Sequence, residues 1–314
     1  MTALPFVKKK FYIDTPVQAF IYIIKTLGCS QGQAQRFIHL GKLCVNKEVV
    51  TDTAKRISGD IELEVFEPID LDIKPIFQTK DFLIFDKPSD ILVHPKTRKT
   101  PESMLDCVRF YGGNEANSTH RIDKETSGIL LASKHKISEI YLKSAFEKRA
   151  IRKCYLAWVE GKINSPFSIN MPIKKRDNYD TNKHKVEIST LGKSSHTDFI
   201  PIIYDENLDA TLVECYPKTG RMHQIRIHLF HVKHPILGDP LYGRTFEISN
   251  KYLDGELNIE ERMIYTGASR LMLHAQAIEF EYDEVKYKIK SLVDFKELKS
   301  LITPKRDRKL VDSY

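Results

Sequence analysis

Cysteine is scarce and scattered. The five residues, Cys29, Cys44, Cys107, Cys154 and Cys215, are odd in number, widely spaced and form no C-x-x-C pair. That argues against a disulfide framework or a zinc knuckle and fits a reducing compartment. No apolar run approaches the length of a membrane span. The N-terminal MTALPFVKKKFYID lacks the apolar core of a signal peptide, so a cytoplasmic location is expected. Neither G-x-G-x-x-G nor a phosphate loop occurs. Internal repeats and low-complexity segments are missing too.

What is present is length, apolar content and a modest positive excess. At 314 residues the chain exceeds the usual single-domain size, which favours two domains. Apolar residues make up 41%, enough for a sizeable core. The formal net charge is +7 and the pI about 8.9. Such a balance favours a polyanionic partner but is far from a histone-like tail.

Residues 1–15 read as an N-terminal extension and 16–66 as a small α/β unit. Ala19, Phe20, Ile23, Ile24 and Leu27 recur at helical spacing, and Gly28 ends that helix. Ser30-Gln31-Gly32-Gln33 has the form of a capping box. The helix it opens carries Ala34, Phe37, Ile38 and Leu40 and stops at Gly41. LCVNKEVV reads as strand, turn, strand; Ser58-Gly59-Asp60 as a turn; IELEVF as a last strand. Residues 67–75, with two prolines and several acids, read as a linker. The larger unit, 76–300, opens on FLIFDKP, a strand stopped by Pro88. A helix is expected over 135–149, with Ile137, Ile140, Tyr141 and Ala145 on its apolar side. In RKCYLAWVEGK, Cys154, Leu156 and Trp158 share one strand face and Lys153, Tyr155 and Ala157 the other. Hairpins and loops fill 163–207, RMHQIRIHLF is a short helix, and HPILGDPLYG a shaped loop. Residues 301–314 form a basic polar tail with a frayed end. Short strands outnumber long helices without strict alternation. The expected class is α+β: a small α/β domain, then a mixed, mostly antiparallel sheet with helices and loops around a central cleft.

The first unit concentrates Arg36, Lys42, Lys47, Lys55 and Arg56. A helix N-terminus beside a basic face can seat phosphates. On charge alone, a solvated face is the commoner meaning. The element order, two helices, then L-C-V-N-K, then S-G-D-I-E-L, resembles the small RNA-binding domain first described in a small-subunit ribosomal protein. Lys47 stands where that turn usually has glycine. The resemblance implies RNA contacts at Arg36, Lys42 and Lys47.

STHRIDKETSGILLASK, 118–134, sets Arg121 and Asp123 just ahead of an apolar run. An acid in such a loop usually forms an Asx turn. Here Thr126-Ser127-Gly128 leads directly into Ile129-Leu130-Leu131, which fixes an exposed carboxylate on a rigid base. The stretch resembles the H-R-L-D-x-x-T-S-G-L-L-L signature of the RluA family of pseudouridine synthases. FLIFDKPSDILVHP is similar to that family's N-K-P-x-G-x-x-V-H-P, with Asp86 for asparagine and Asp90 for glycine. RKCYLAWVEG, KTGRMHQIRIHL, HPILGDPLYG and LMLHA follow in the family's order, so the resemblance spans about 82–281.

The resemblance implies an enzyme that cuts uracil from its sugar, turns it and rejoins it through carbon 5, with no cofactor and no metal. Asp123 is the implied nucleophile, at the anomeric carbon or at the uracil ring. Tyr155 is implied to lie over the uracil. Arg226 is implied to pair with Asp123 and hold it ionised. Arg121 is implied to fill the gap left by the displaced base, and Arg221 to contact phosphate. His223, His228, His231 and His234 invite a metal reading, but neither cysteine nor H-E-x-x-H accompanies them. A glycosidase needs a second carboxylate near the first, and Glu125 is not obviously placed for it. Family members with the small N-terminal domain mostly modify large-subunit ribosomal RNA. A monomeric enzyme acting on that RNA, with no membrane partner, is therefore expected. Transfer RNA is the alternative substrate. A non-catalytic RNA-binding or ribosome-assembly protein is the alternative class, and a metal-dependent RNA hydrolase rests on the histidines alone.

Overall fold

The structure is a computed structural model that describes residues 4–176 and 185–309. Two compact units emerge. One holds the chain up to Leu71 together with Pro95–Asp106; the other holds Asp72–His94 and the chain from Cys107 onward. The sequence draws a single cut at 67–75, whereas the first unit also claims a segment further along the chain.

The first unit carries β1 (Phe6–Gln18), α1 (Ala19–Leu27), α2 (Gln31–His39), β2 (Leu43–Val45), β3 (Glu48–Val49) and β4 (Arg56–Phe66). Its sheet runs β1-β4-β2-β3. Gly28 closes α1 at φ 61°, and Ser30 and Gln33 make the reciprocal capping box of α2. Ala19, Ile23, Ala34 and Ile38 pack on Leu43, Ile57, Ile61 and Leu63. Two expectations are corrected. Phe6–Ile13 is no extension but pairs antiparallel with Phe66–Gly59; its lysines sit on an edge strand, where charge is tolerated. Ser58-Gly59-Asp60 is no turn but lies inside β4. There Gly59 takes φ 93°, and a Cβ would collide with the Asn46 side chain.

From Pro75 on come β5 (Pro75–Gln78), β6 (Phe82–Lys87), α3 (Met104–Gly112), β7 (Asn117–Ser118), β8 (Ser127–Ser133), α4 (Lys136–Glu147), β9 (Arg152–Glu160), β10 (Phe167–Asn170), β11 (Ile173–Lys175), β12 (Val186–Ile188), β13 (His196–Asp205), β14 (Ala210–Pro217), α5 (Gln224–His231), α6 (Phe246–Asp254), α7 (Ile259–Thr266), β15 (Leu273–Tyr282) and β16 (Val285–Lys290). The large sheet runs β10-β13-β14-β9-β15-β8-β6-β5, with β16 on β15 and β7 on β8. The β15–β8 pair is parallel and the other pairs are antiparallel. Every residue of β8 is buried, as expected of a continuous apolar run inside a sheet covered on both faces.

Helix α4 differs from expectation. Ile137 and Ile140 are 77% and 60% exposed, and Tyr141 is exposed too. Ala145 packs inward as read, but its companions are Leu142 and Phe146, against Phe82, Leu131 and Ile151. The inward stripe lies about one residue off the one read from the sequence. Helices α6 and α7 went unread, although Thr245 and Asn258 cap them and Gly255 and Gly267 close them. Part of the 163–207 reading, 177–184, lies outside the described residues. The tail is held as far as it is described: Arg308 Nε donates to Thr303 O at 2.7 Å. Residues 310–314 lie outside the description.

Candidate active site

A cavity of about 630 Å3 in the second unit is lined by Asp123, Arg121, Tyr155, Arg221 and Arg226 together. The loop before β8, strand β9 and helix α5 with its preceding turn deliver these side chains. Arg36, Lys42 and Lys47 belong to the first unit. Arg36 and Lys47 are exposed, while Lys42 is half-buried with Nζ 5.8 Å from both the Phe6 and Phe37 rings.

The loop carrying Asp123 is fastened at several points. Gly128, the second residue of β8, takes φ 104°, and a Cβ there would collide with the backbone of Ala275 on β15. His120 Nε2 accepts the Leu131 N–H at 3.0 Å, and the ring stacks on Phe146 at 4.6 Å. Burial, with help from Lys153, drops its pKa to about 3, so the ring is neutral and free to accept. Buried Lys87, from the FDKP motif, donates Nζ to Pro88 O at 2.9 Å, Ile91 O at 2.9 Å and Lys124 O at 2.8 Å. Burial, then Arg270, lowers its pKa to about 7. Three carbonyl acceptors nonetheless favour the ammonium, the form with three N–H donors. This side chain ties the residue after Asp123 to the β6 loop.

Arg226 is the electrostatic centre. Nε and Nη2 grip Asp239 Oδ2 and Oδ1 at 2.7 and 2.8 Å, and Nη1 donates to Asp123 Oδ2 at 3.1 Å. The guanidinium lies 5.1 Å from the Tyr242 ring centroid. Asp239 Oδ1 also accepts the Leu241 and Tyr242 N–H groups. The fork is thus locked on a fully buried acid through Nε and Nη2, and Nη1 is the nitrogen that reaches Asp123. The Asp123 side chain stays 27% exposed, and its Oδ1 carries no hydrogen bond among the described residues. Burial disfavours its charge, but His223 and Arg226 more than offset that, leaving its pKa below the ordinary carboxylate value. His223 Nε2 lies 3.8 Å from Asp123, too far for a hydrogen bond, while Nδ1 meets the Tyr242 hydroxyl at 2.9 Å. Burial and Arg226 lower the His223 pKa to about 4, so near neutrality the ring is neutral and Arg226 is the cation in contact with Asp123.

Tyr155 and Lys153 share one face of β9 and both line the cavity. Burial, then the Asp123 charge, raises the Tyr155 pKa, so its phenol stays protonated. Arg121 is exposed and makes no side-chain hydrogen bond or ion pair among the described residues. Arg221 is partly committed, with Nε donating to Ser194 O at 3.1 Å. The tempting histidines are dispersed. His228 bonds Ser195 and Thr197, and His234 bonds Glu160 O. Glu125 is buried against Arg262, which donates to both its oxygens, so no free second carboxylate stands beside Asp123 there. Sequence reasoning missed Asp239, Tyr242 and Lys87, and it placed Lys153 on the Tyr155 face of the strand without giving it a role. The signal for the first two was an acid between glycine and proline in an otherwise apolar loop, GDPLYG.

Residues 81–231 match the family model for RNA pseudouridylate synthase. An RNA pseudouridine synthase of Helicobacter pylori (strain J99), itself named as uncharacterized, is 39% identical over 289 residues, covering 92% of this chain and 96% of that one. This chain belongs to the RNA pseudouridylate synthase family. The RluA-type motifs quoted above supply much of the wall of the cavity, with Lys143, Phe146 and Glu147 of α4 adding the rest of one side, while HPILGDPLYG stands behind it through Asp239. The ribosomal large subunit pseudouridine synthase D of Vibrio cholerae is 27% identical over 267 residues, covering 81% of this chain and 79% of its own. The solved structure of human RNA pseudouridylate synthase domain containing 1 shares the fold, with a TM-score of 0.59 at 24% identity over 79% of this chain and 94% of that one. As a member of the family the chain is an RNA pseudouridine synthase, and its substrate is RNA. Among the described residues no helix is long and apolar enough to cross a membrane.

Proposed function

We propose that this enzyme isomerises specific uridines of large-subunit ribosomal RNA, with Asp123 as nucleophile. One observation carries the assignment: Asp123 is held by Arg226 through one oxygen and keeps the other unengaged at the cavity wall. A carboxylate kept ionised, oriented and only partly desolvated suits nucleophilic attack. Attack on the anomeric carbon or on the uracil ring both end alike. The bond from N1 to the sugar breaks, the bond from C5 forms, the C5 proton leaves and N1 gains a proton. Tyr155, with its phenol protonated, offers its ring to the uracil. Arg121, unpaired at the rim, fills the stack vacated by the flipped base. Arg221 contacts a phosphate. In the first unit, Arg36, Lys42 and Lys47 add RNA contacts, with Lys42 restrained by its aromatic neighbours. The large-subunit substrate is supported by the relative of Vibrio cholerae, whose name specifies it.

Asp123→Asn keeps the shape and removes the charge. It should abolish pseudouridine formation while RNA binding survives. Substantial turnover by the purified, folded variant would refute the role. Mapping pseudouridines in ribosomal and transfer RNA with and without the gene product tests the substrate.

A further inference from the structure

A second cavity of about 450 Å3 adjoins the first, and Arg149, Ile151, Lys153, Pro217 and Lys218 wall both. It exists because the sheet forks. The β14–β9 ladder ends at Cys215–Tyr155, whereas β15 follows β9 on to Glu279–Arg152. Tyr216 and Pro217 continue along β13 instead, opposite Asp198 and Thr197. The first residues of β9 therefore border a gap on the side that β14 has left.

The chemistry of this gap is one-sided. Arg149, Arg152, Lys153 and Lys218 line it against one carboxylate, Glu279, which is paired with Lys288 at 2.7 Å. Lys218 is shared with Asp198 at 3.0 Å. The Arg149 and Arg152 side chains make no hydrogen bond or ion pair among the described residues. Lys153 Nζ donates to Thr219 O at 3.3 Å, which keeps its head on the wall common to the two cavities. Tyr216 adds an aromatic ring, anchored through its hydroxyl to Glu214 Oε2 at 2.6 Å. A positive trough with an anchored ring, sharing a wall with a site for one flipped base, is the combination that holds single-stranded RNA.

We propose that the second cavity holds the nucleotide adjacent to the target uridine, with its base against Tyr216 and the intervening phosphate at Lys153 and Arg149. The inference rests on the pseudouridine synthase activity and adds to it a means of reading sequence context.

The test uses the full-length protein and an RNA fragment chosen because the wild type converts a uridine in it. An abasic residue is placed first on the 5′ side of that uridine, then on the 3′ side. One of the two should lower kcat/KM of the wild type about ten-fold, the scale of a lost base–aromatic stack. Tyr216→Ala should lose most of that sensitivity, because nothing remains to stack. Tyr216→Phe, which keeps the ring, should respond like the wild type. If neither abasic substrate penalises the wild type, the subsite is wrong. Equal sensitivity of Tyr216→Ala and wild type would overturn it as well. A wild type that converts no uridine in any cellular RNA would instead sink the activity on which the proposal rests.

Discussion

Arg226 directs three donors at two acids, and the split between them sets the chemistry of Asp123. Asp239 takes two of the donors and is fully buried; Asp123 takes the third and faces the cavity. Because the Asp123 pKa is depressed, its charged form persists below the ordinary carboxylate range. Its contributions to stability and activity are present above about pH 4 and lost as pH falls through the lowered value. Arg226→Lys replaces the fork with a point charge that cannot serve both acids. Activity should fall about a hundred-fold or more, and the acid limb of kcat/KM should move to higher pH as burial gains the upper hand. An unmoved limb would show that Arg226 does not govern Asp123. Two residues that stand where the resembling motifs carry glycine share one backbone state. Lys47 and Asp90 stand at φ 72° and 68°, the left-handed region where glycine is at ease. The chain tolerates a side chain at both positions, and Asp90 meets Lys124 at 2.8 Å.

At the scale of elements, the parallel contact of β8 with β15 carries the site. It brings Ser127 and Gly128 beside His274 and Ala275, and the Asp123 loop hangs from its start. A side chain at 128 meets the Ala275 backbone and must also adopt φ 104°. Gly128→Ala should therefore destabilise the second unit by about 2 kcal/mol or more. Chemical denaturation monitored by tryptophan fluorescence can check this, since Trp158, the one tryptophan of the chain, is in that unit's core. Unchanged stability would mean the two strands can separate there without cost. Helix α4 shows where periodicity misled. Ile137, Ile140, Tyr141 and Ala145 look like a buried stripe, yet of these only Ala145 packs inward, beside Leu142 and Phe146. One turn of helix offers two adjacent apolar stripes, and only the partner strands choose between them.

For the whole molecule, the division of labour between the units is the testable point. Deleting the first 70 residues would leave Pro95–Asp106 without the unit it packs in, so charge removal is the cleaner experiment. Arg36→Gln, Lys47→Gln and Lys55→Gln together should weaken RNA binding. They should also reduce the slope of log K against log salt by about 2, given roughly 0.7 per phosphate contact on single strands. Filter binding between 50 and 200 mM salt, on the order of the usual range, reads this directly. An unchanged slope would identify that face as merely solvated. Turnover at saturating RNA should survive, because the residues lining the catalytic cavity lie in the second unit.

The sequence by itself determined the family, the fold class, the two-helix unit and five of the side chains that line the cavity, Arg121, Asp123, Tyr155, Arg221 and Arg226. Those features live in local signals: the Ser30 capping box, the apolar run after Asp123, the alternation that puts Tyr155 and Lys153 on one face. It did not reveal that Phe6–Ile13 is an edge strand, because its partner lies some fifty residues on. Nor did it reveal Asp239, whose role exists only where α5 meets the loop beyond it and a buried guanidinium needs two acceptors. The fork behind the second cavity was equally hidden. Which strand leaves β9 first is decided by pairing across the sheet, and no local pattern in β9, β14 or β15 encodes it.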